Sequence, residues 1–213
     1  SAMRHVVLAG FLAGFAAGPL AAECLTAASP QTGVIFTRED GSKGTLVAGA
    51  AGIMRVDYAF GRKDKISKVQ ALYGLYTQEA VTWQGDPEAV GGDGATLTEF
   101  HRSGREPVPV AGKNWKTRLR TVQTRQTDTE AGSEVRRETY RVTYSFQDAR
   151  EVTLSGCKYQ MMPVEASFVG DEAHFSRRWA YFPDLGFGLE TKYTDHRSGI
   201  ETRLGLTAMR MPK

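Results

Sequence analysis

The chain has 213 residues, with 27 Lys and Arg against 24 Asp and Glu, for a formal charge of +3. That length fits one domain able to bury roughly 70% of its unfolded surface without help from a metal. A charge so near balance argues against nucleic acid as an obligate partner.

The first twenty-odd residues read as a leader. Met3 and Arg4 precede an apolar run over residues 6–17; Gly18 and Pro19 break it, and Leu20, Ala21 and Ala22 lead to the first acid, Glu23. A positive start, a short apolar middle and a small-residue end make a secretory signal peptide. Cleavage is placed after Ala22. Residues 1–22 are then a tag remnant (Ser1-Ala2) plus signal peptide, and residues 23–213 a single β-rich domain, periplasmic or secreted in a bacterium. The alternative is a buried N-terminal helix of the mature domain. A transmembrane span is disfavoured, because a spanning helix needs about 20 predominantly apolar residues and this run is interrupted by Gly and Pro. Glu23 ahead of Cys24 argues against a lipid anchor on that cysteine.

The two cysteines are Cys24 and Cys157. In an oxidising compartment an even pair predicts a disulfide, which would tie the N-terminus to the last third of the chain and add about 4–5 kcal/mol by loop-closure arithmetic. A metal-binding or nucleophilic thiol is the alternative.

Strand signals then dominate. The short polar segment 39–44 separates runs at 34–38 and 45–48, and 61–65 separates 54–60 from 67–76. A loop rich in Gly, Asp and Pro divides 80–84 from 97–102, and 127–133 divides 115–125 from 135–146. Within the last of these, Tyr140, Val142, Tyr144 and Phe146 alternate with Arg141, Thr143 and Ser145, the period of a strand with one buried face. Runs at 152–154, 159–168 and 176–182 follow. Phe187, Leu189, Thr191 and Tyr193 are expected to share a face, with Ile200, Thr202, Leu204, Leu206 and Ala208 running back as one strand after a turn at 195–199. Residues 22–29 are the one helical candidate, of one or two turns. The expected fold is mostly β: a single antiparallel meander of ten to twelve strands, strongly curved into a half-barrel or barrel-like sheet.

Three motifs stand out: Pro109-Val110-Ala111-Gly112-Lys113-Asn114-Trp115; Val152-Thr153-Leu154-Ser155-Gly156-Cys157-Lys158-Tyr159 with Pro163-Val164; and the stretch from Trp179 through Pro183-Asp184-Leu185-Gly186 to Leu189. Over residues 107–211 their order resembles uncharacterised bacterial exported proteins with a curved antiparallel sheet, similar in architecture to the periplasmic lipoprotein carriers of the LolA/LolB type. Cys157 departs from that pattern, and no lid helix is visible.

No catalytic, phosphate-binding or metal-ligating motif occurs, so no cofactor, metal or enzymatic activity is expected; Asp195-His196 is the local group a hydrolase of unknown type would use. The expected role is non-enzymatic. One sheet curved on itself leaves a concave face that its own residues do not fill. Tyr73, Trp83, Trp115, Tyr140, Tyr144, Phe146, Trp179 and Tyr181 are the candidates to line it for a hydrophobic or lipidic ligand or an envelope protein partner, with the retained leader as a surrogate occupant. The alternative is a structural envelope protein with a fully packed core. Arg118, Arg120, Arg137 and Arg141 on one predicted hairpin form a candidate anion surface for weak contact with an anionic membrane.

Overall fold

The structure, a computed structural model, describes residues 23–59, 65–84, 95–126 and 132–213. The leader, and with it the surrogate-occupant expectation, lies outside the described residues. After a four-residue helix α1 (Ser29–Thr32), entered by Pro30 in its first turn, the chain is almost wholly antiparallel sheet. Helix α1 overlaps the predicted 22–29 only at Ser29.

The first half comprises β1 (Val34–Arg38), β2 (Lys43–Ala48), β3 (Ile53–Ala59), β4 (Lys65–Leu72), β5 (Tyr76–Gln84), β6 (Thr96–Arg102) and β7 (Asn114–Gln126). The second comprises β8 (Ser133–Phe146), β9 (Arg150–Leu154), β10 (Cys157–Val169), β11 (His174–Phe182), β12 (Phe187–Asp195), β13 (Glu201–Arg203) and β14 (Leu206–Arg210). This single sheet has 14 strands, in the order β13-β12-β11-β10-β8-β7-β6-β5-β4-β3-β2-β1-β14, with β9 paired on β10. The expected mostly-β, curved antiparallel meander is what forms.

Two predicted runs are broken: the first break hands Tyr76 to the next strand, and the second adds a strand. The run at 67–76 is cut by a turn at Tyr73-Gly74, where both residues have positive φ (54° and 69°), the conformation a two-residue hairpin requires. The run at 200–208 is cut at Leu204-Gly205. Consequently Ile200 is 62% exposed while Leu204 is buried, so they share no face.

That second break sets the overall shape. Strand β13 pairs with β12, and β14 pairs with β1. Between them the Leu204 amide donates to the Thr191 carbonyl and the Glu39 amide donates to the Gly205 carbonyl, each at 2.8 Å. The hydrogen-bonded ladder is open, yet its two end strands are consecutive in the chain, so the sheet wraps until its edges meet along one short segment.

Inside the wrap the β11–β12 hairpin forms a septum. Every residue of 179–182 and 187–190 is buried, and the two faces of the hairpin serve two separate cores. Ala180, Phe182, Phe187 and Leu189 pack with Val34, Phe36, Leu46 and Val56 of β1–β3, and with Tyr159 of β10. Trp179 and Tyr181 pack with Tyr76, Tyr144, Phe146 and Val164 on the other side. A strand covered on both faces is otherwise a feature of layered parallel sheets; here hairpin insertion achieves it. Strand β10 crosses from one core to the other through a phase change: Cys157, Tyr159 and Met161 are buried, then Met162, Val164, Ala166 and Phe168. The switch falls at Met161-Met162, where β10 exchanges β9 for β11 and then β8. A second phase change in β12, at the register shift beside Arg178/Trp179, separates Phe187 and Leu189 from Tyr193. The expectation that these three residues share a face is corrected by that bulge.

The predicted disulfide is present, Cys24 to Cys157. It holds the N-terminal segment against the β9–β10 hairpin. There Leu25 is buried, and its amide donates to the Tyr159 hydroxyl at 3.0 Å.

Candidate functional site

The predicted aromatics are brought together, though as core. Tyr144 is fully buried at the centre, 5.4 Å between ring centroids from Trp115, 6.4 Å from Phe146 and 6.3 Å from Trp179. Tyr76, which alternation alone did not single out, bridges Tyr73 (6.4 Å), Trp115 (5.4 Å) and Tyr144 (5.1 Å). Phe146 and Tyr181 are buried in the same cluster. The concave face is therefore largely filled by the protein's own rings, where an open apolar trough was expected. Trp83 leaves the set altogether. Thr82 faces the interior, so period-2 alternation turns Trp83 to the opposite face, where Lys68 lies over its ring at 5.7 Å.

A cavity nevertheless remains, beside the septum and between β3 and β13. It has two adjoining lobes, of about 550 Å³ and about 210 Å³, which share Thr77, Arg177, Trp179 and Tyr193 as walls. Every strand from β3 to β13 except β9 contributes to it. Its lining mixes hydroxyls (Ser67, Thr82, Thr98, Thr121) with rings (Phe100, Tyr140, Phe175). Of the predicted ligand residues, Tyr140, Tyr144 and Trp179 reach it; Tyr73, Trp83, Trp115, Phe146 and Tyr181 are not among its walls. The missed residues had one legible signal: Thr98, Phe100 and Arg102 alternate in phase with Leu119, Thr121 and Gln123 across a paired ladder, and so share an inward face with polar positions.

Charge inside the wrap is organised by Glu190. One Arg177 Nη donates to both its carboxylate oxygens, at 2.8 and 2.9 Å. Its amide donates to the Tyr58 hydroxyl at 3.0 Å, and its carbonyl accepts from Arg38 at 3.3 Å. Arg38 is buried over the Tyr58 ring at 4.6 Å, and loss of solvent pulls its pKa below the ordinary arginine value. Burial likewise pushes Tyr58, Tyr140, Tyr144 and Tyr193 above the ordinary phenol value, so the lumen's phenols are neutral hydrogen-bonding groups near pH 7.

Arg118, Arg120, Arg137 and Arg141 are all exposed on the outer face of β7–β8, with Arg118 directly opposite Arg141. Among the described residues no carboxylate forms an ion pair with any of the four. At the Asp195-His196 turn, the Asp195 carboxylate accepts from the Arg197 amide (2.9 Å) and the Ser198 amide (3.3 Å), while His196 Nε2 lies 3.0 Å from Ser176 Oγ. The acid is thus engaged with the turn backbone. Among the described residues no three His, Cys, Asp or Glu converge on a point, and no helix is long and apolar enough to cross a membrane.

No protein-family model matches the chain, and no curated protein does. Among solved structures it is similar to the hypothetical lipoprotein YmcC of Escherichia coli K12, with 12% identity over 85% of this chain and 84% of that one and a TM-score of 0.44. The LolA/LolB resemblance is not carried by that likeness.

Proposed function

We propose that this is an exported, non-enzymatic β-domain that holds a small lipidic or amphipathic molecule inside its wrapped sheet. The observation that carries the reading is the cavity beside the septum: walled from nearly all sides of the sheet, and lined by rings and hydroxyls in a pattern suited to a molecule with one apolar and one polar part. The Cys24–Cys157 bond supports export, because disulfides persist in oxidising compartments. The competing reading, a structural envelope protein, draws on the two self-packed cores.

Native mass spectrometry of the full chain recovered from a bacterial periplasm separates the two. A defined adduct on the wild type that is lost from a cavity-filling Thr98→Phe variant supports the carrier reading. Bare mass for both proteins defeats it and leaves the structural one.

A further inference from the structure

The smaller lobe of the lumen is lined by a guanidinium that pairs with no carboxylate among the described residues. Arg102 lies on the inward face of β6 with Thr98 and Phe100 and lines the smaller lobe. Its Nη1 donates to the Thr77 carbonyl at 2.5 Å, its Nη2 donates to the Tyr144 hydroxyl at 3.2 Å, and its guanidinium lies over the Tyr76 ring at 5.9 Å. All three partners are neutral. Nε is buried with no acceptor, and among the described residues no carboxylate forms an ion pair with Arg102. Glu106, whose charge reaches Tyr76 and Tyr144, makes no such pair either. Arg177, which lines both lobes, is by contrast matched by Glu190. Arg102 is therefore held in place by neutral groups, with no carboxylate in ion-pair contact among the described residues, and a half-buried guanidinium in that state is costly.

We propose that the lumen takes an amphiphile bearing a single carboxylate, with the carboxylate set against Arg102 and the apolar body along Phe100, Tyr140, Phe175 and Trp179. This rests on the lumen being a ligand site and names the ligand's chemistry. The guanidinium fork matches a carboxylate in shape. A single guanidinium in the smaller lobe without an ion pair among the described residues matches a monoanion, and Glu190 on the far wall disfavours a second negative group. The body is matched by the rings that share the lobe with Arg102.

The probes are decanoate and decanol, which share a chain and differ in the charged head. They are titrated calorimetrically into the full-length wild type, Arg102→Gln and Arg102→Lys at low salt. The wild type is expected to bind decanoate at least tenfold tighter than decanol. Arg102→Gln is expected to remove that preference, decanoate losing at least tenfold more affinity than decanol, and Arg102→Lys to retain part of it. Equal affinity of the wild type for the two probes overturns the proposal while leaving a ligand site in place, and needs no variant to fold. A preference that survives Arg102→Gln overturns it as well. Failure of both probes to bind defeats the ligand site itself.

Discussion

Gly74 and Gly188 meet across the interior of the wrapped sheet. The Gly188 amide donates to the Tyr73 carbonyl at 2.8 Å, and a Cβ on Gly74 would stand 2.2 Å from the Gly188 carbonyl oxygen. The β4–β5 turn is thereby locked onto the septum at a point far from both in ladder order. This backbone-to-backbone contact lies where the Leu75 side adjoins the second core and the Phe187 side adjoins the first.

Gly74→Ala is consequently expected to be among the most damaging single changes. It meets fixed backbone as well as a positive φ of 69°, for a loss of at least about 2 kcal/mol. Gly41→Ala is the control, since φ there is 79° but nothing lies within 4 Å of the added atom. It should cost only the conformational part, about 1 kcal/mol. Urea unfolding of the two variants checks this; equal losses would mean the cross-interior contact contributes nothing.

The disulfide closes a loop with a sequence separation of 133, for which the chain-entropy model gives a stabilisation of about 5 kcal/mol. The double variant Cys24→Ser, Cys157→Ser should lose most of that, together with the anchoring of Leu25 beneath Tyr159. Unfolding free energies of the wild type with and without reductant, from urea denaturation, should differ by a similar amount. A midpoint unmoved by reductant, with the bond shown to be broken, would contradict it.

How far this architecture was legible from the residues depends on which device built it. Alternation from Tyr140 to Phe146 marked both a strand and its buried face, and Gly112 and Gly156, inside two of the three motifs, take the positive φ that glycine allows. The turn at Tyr73-Gly74 escaped notice because tyrosine is a poor left-handed residue, held there by contacts remote in sequence. The septum had a signal that period-2 reasoning passed over: Trp179-Ala180-Tyr181-Phe182 is apolar without interruption, as burial on both faces demands. The cavity was hidden for the opposite reason. Its walls include Thr77, Thr98 and Thr121, polar residues that alternation assigns to solvent unless the wrap around them is already known.

Buried phenols should give a cooperative alkaline transition. Tyr58, Tyr76, Tyr140, Tyr144 and Tyr193 are pushed above the ordinary value of 10.0, and Tyr181 up to about 12, in each case chiefly by burial. Because the folded values are raised, the stability they contribute is complete below pH 10, the unfolded value, and falls as pH climbs through the folded values. Tyrosinate absorbance should therefore rise together with loss of the near-ultraviolet aromatic signal, above pH 11. A gradual titration centred on pH 10 in a protein that keeps that signal would show the rings to be open to solvent.

The basic outer face invites a change in which stability and binding move in opposite directions. Arg118 and Arg141 stand directly across from each other on β7 and β8, a like-charge pair that disfavours the sheet by a fraction of a kcal/mol. Both are exposed and neither is paired with a carboxylate among the described residues. Arg118→Glu makes an opposite-charge pair, and should raise stability by about 0.2–1 kcal/mol while weakening sedimentation with vesicles containing anionic lipid. Wild-type binding to those vesicles should also fall steeply between low and physiological salt, where screening shortens to about 8 Å. If Arg118→Glu gains stability and vesicle binding is indifferent to both the substitution and salt, the arginines are an ordinary solvated face.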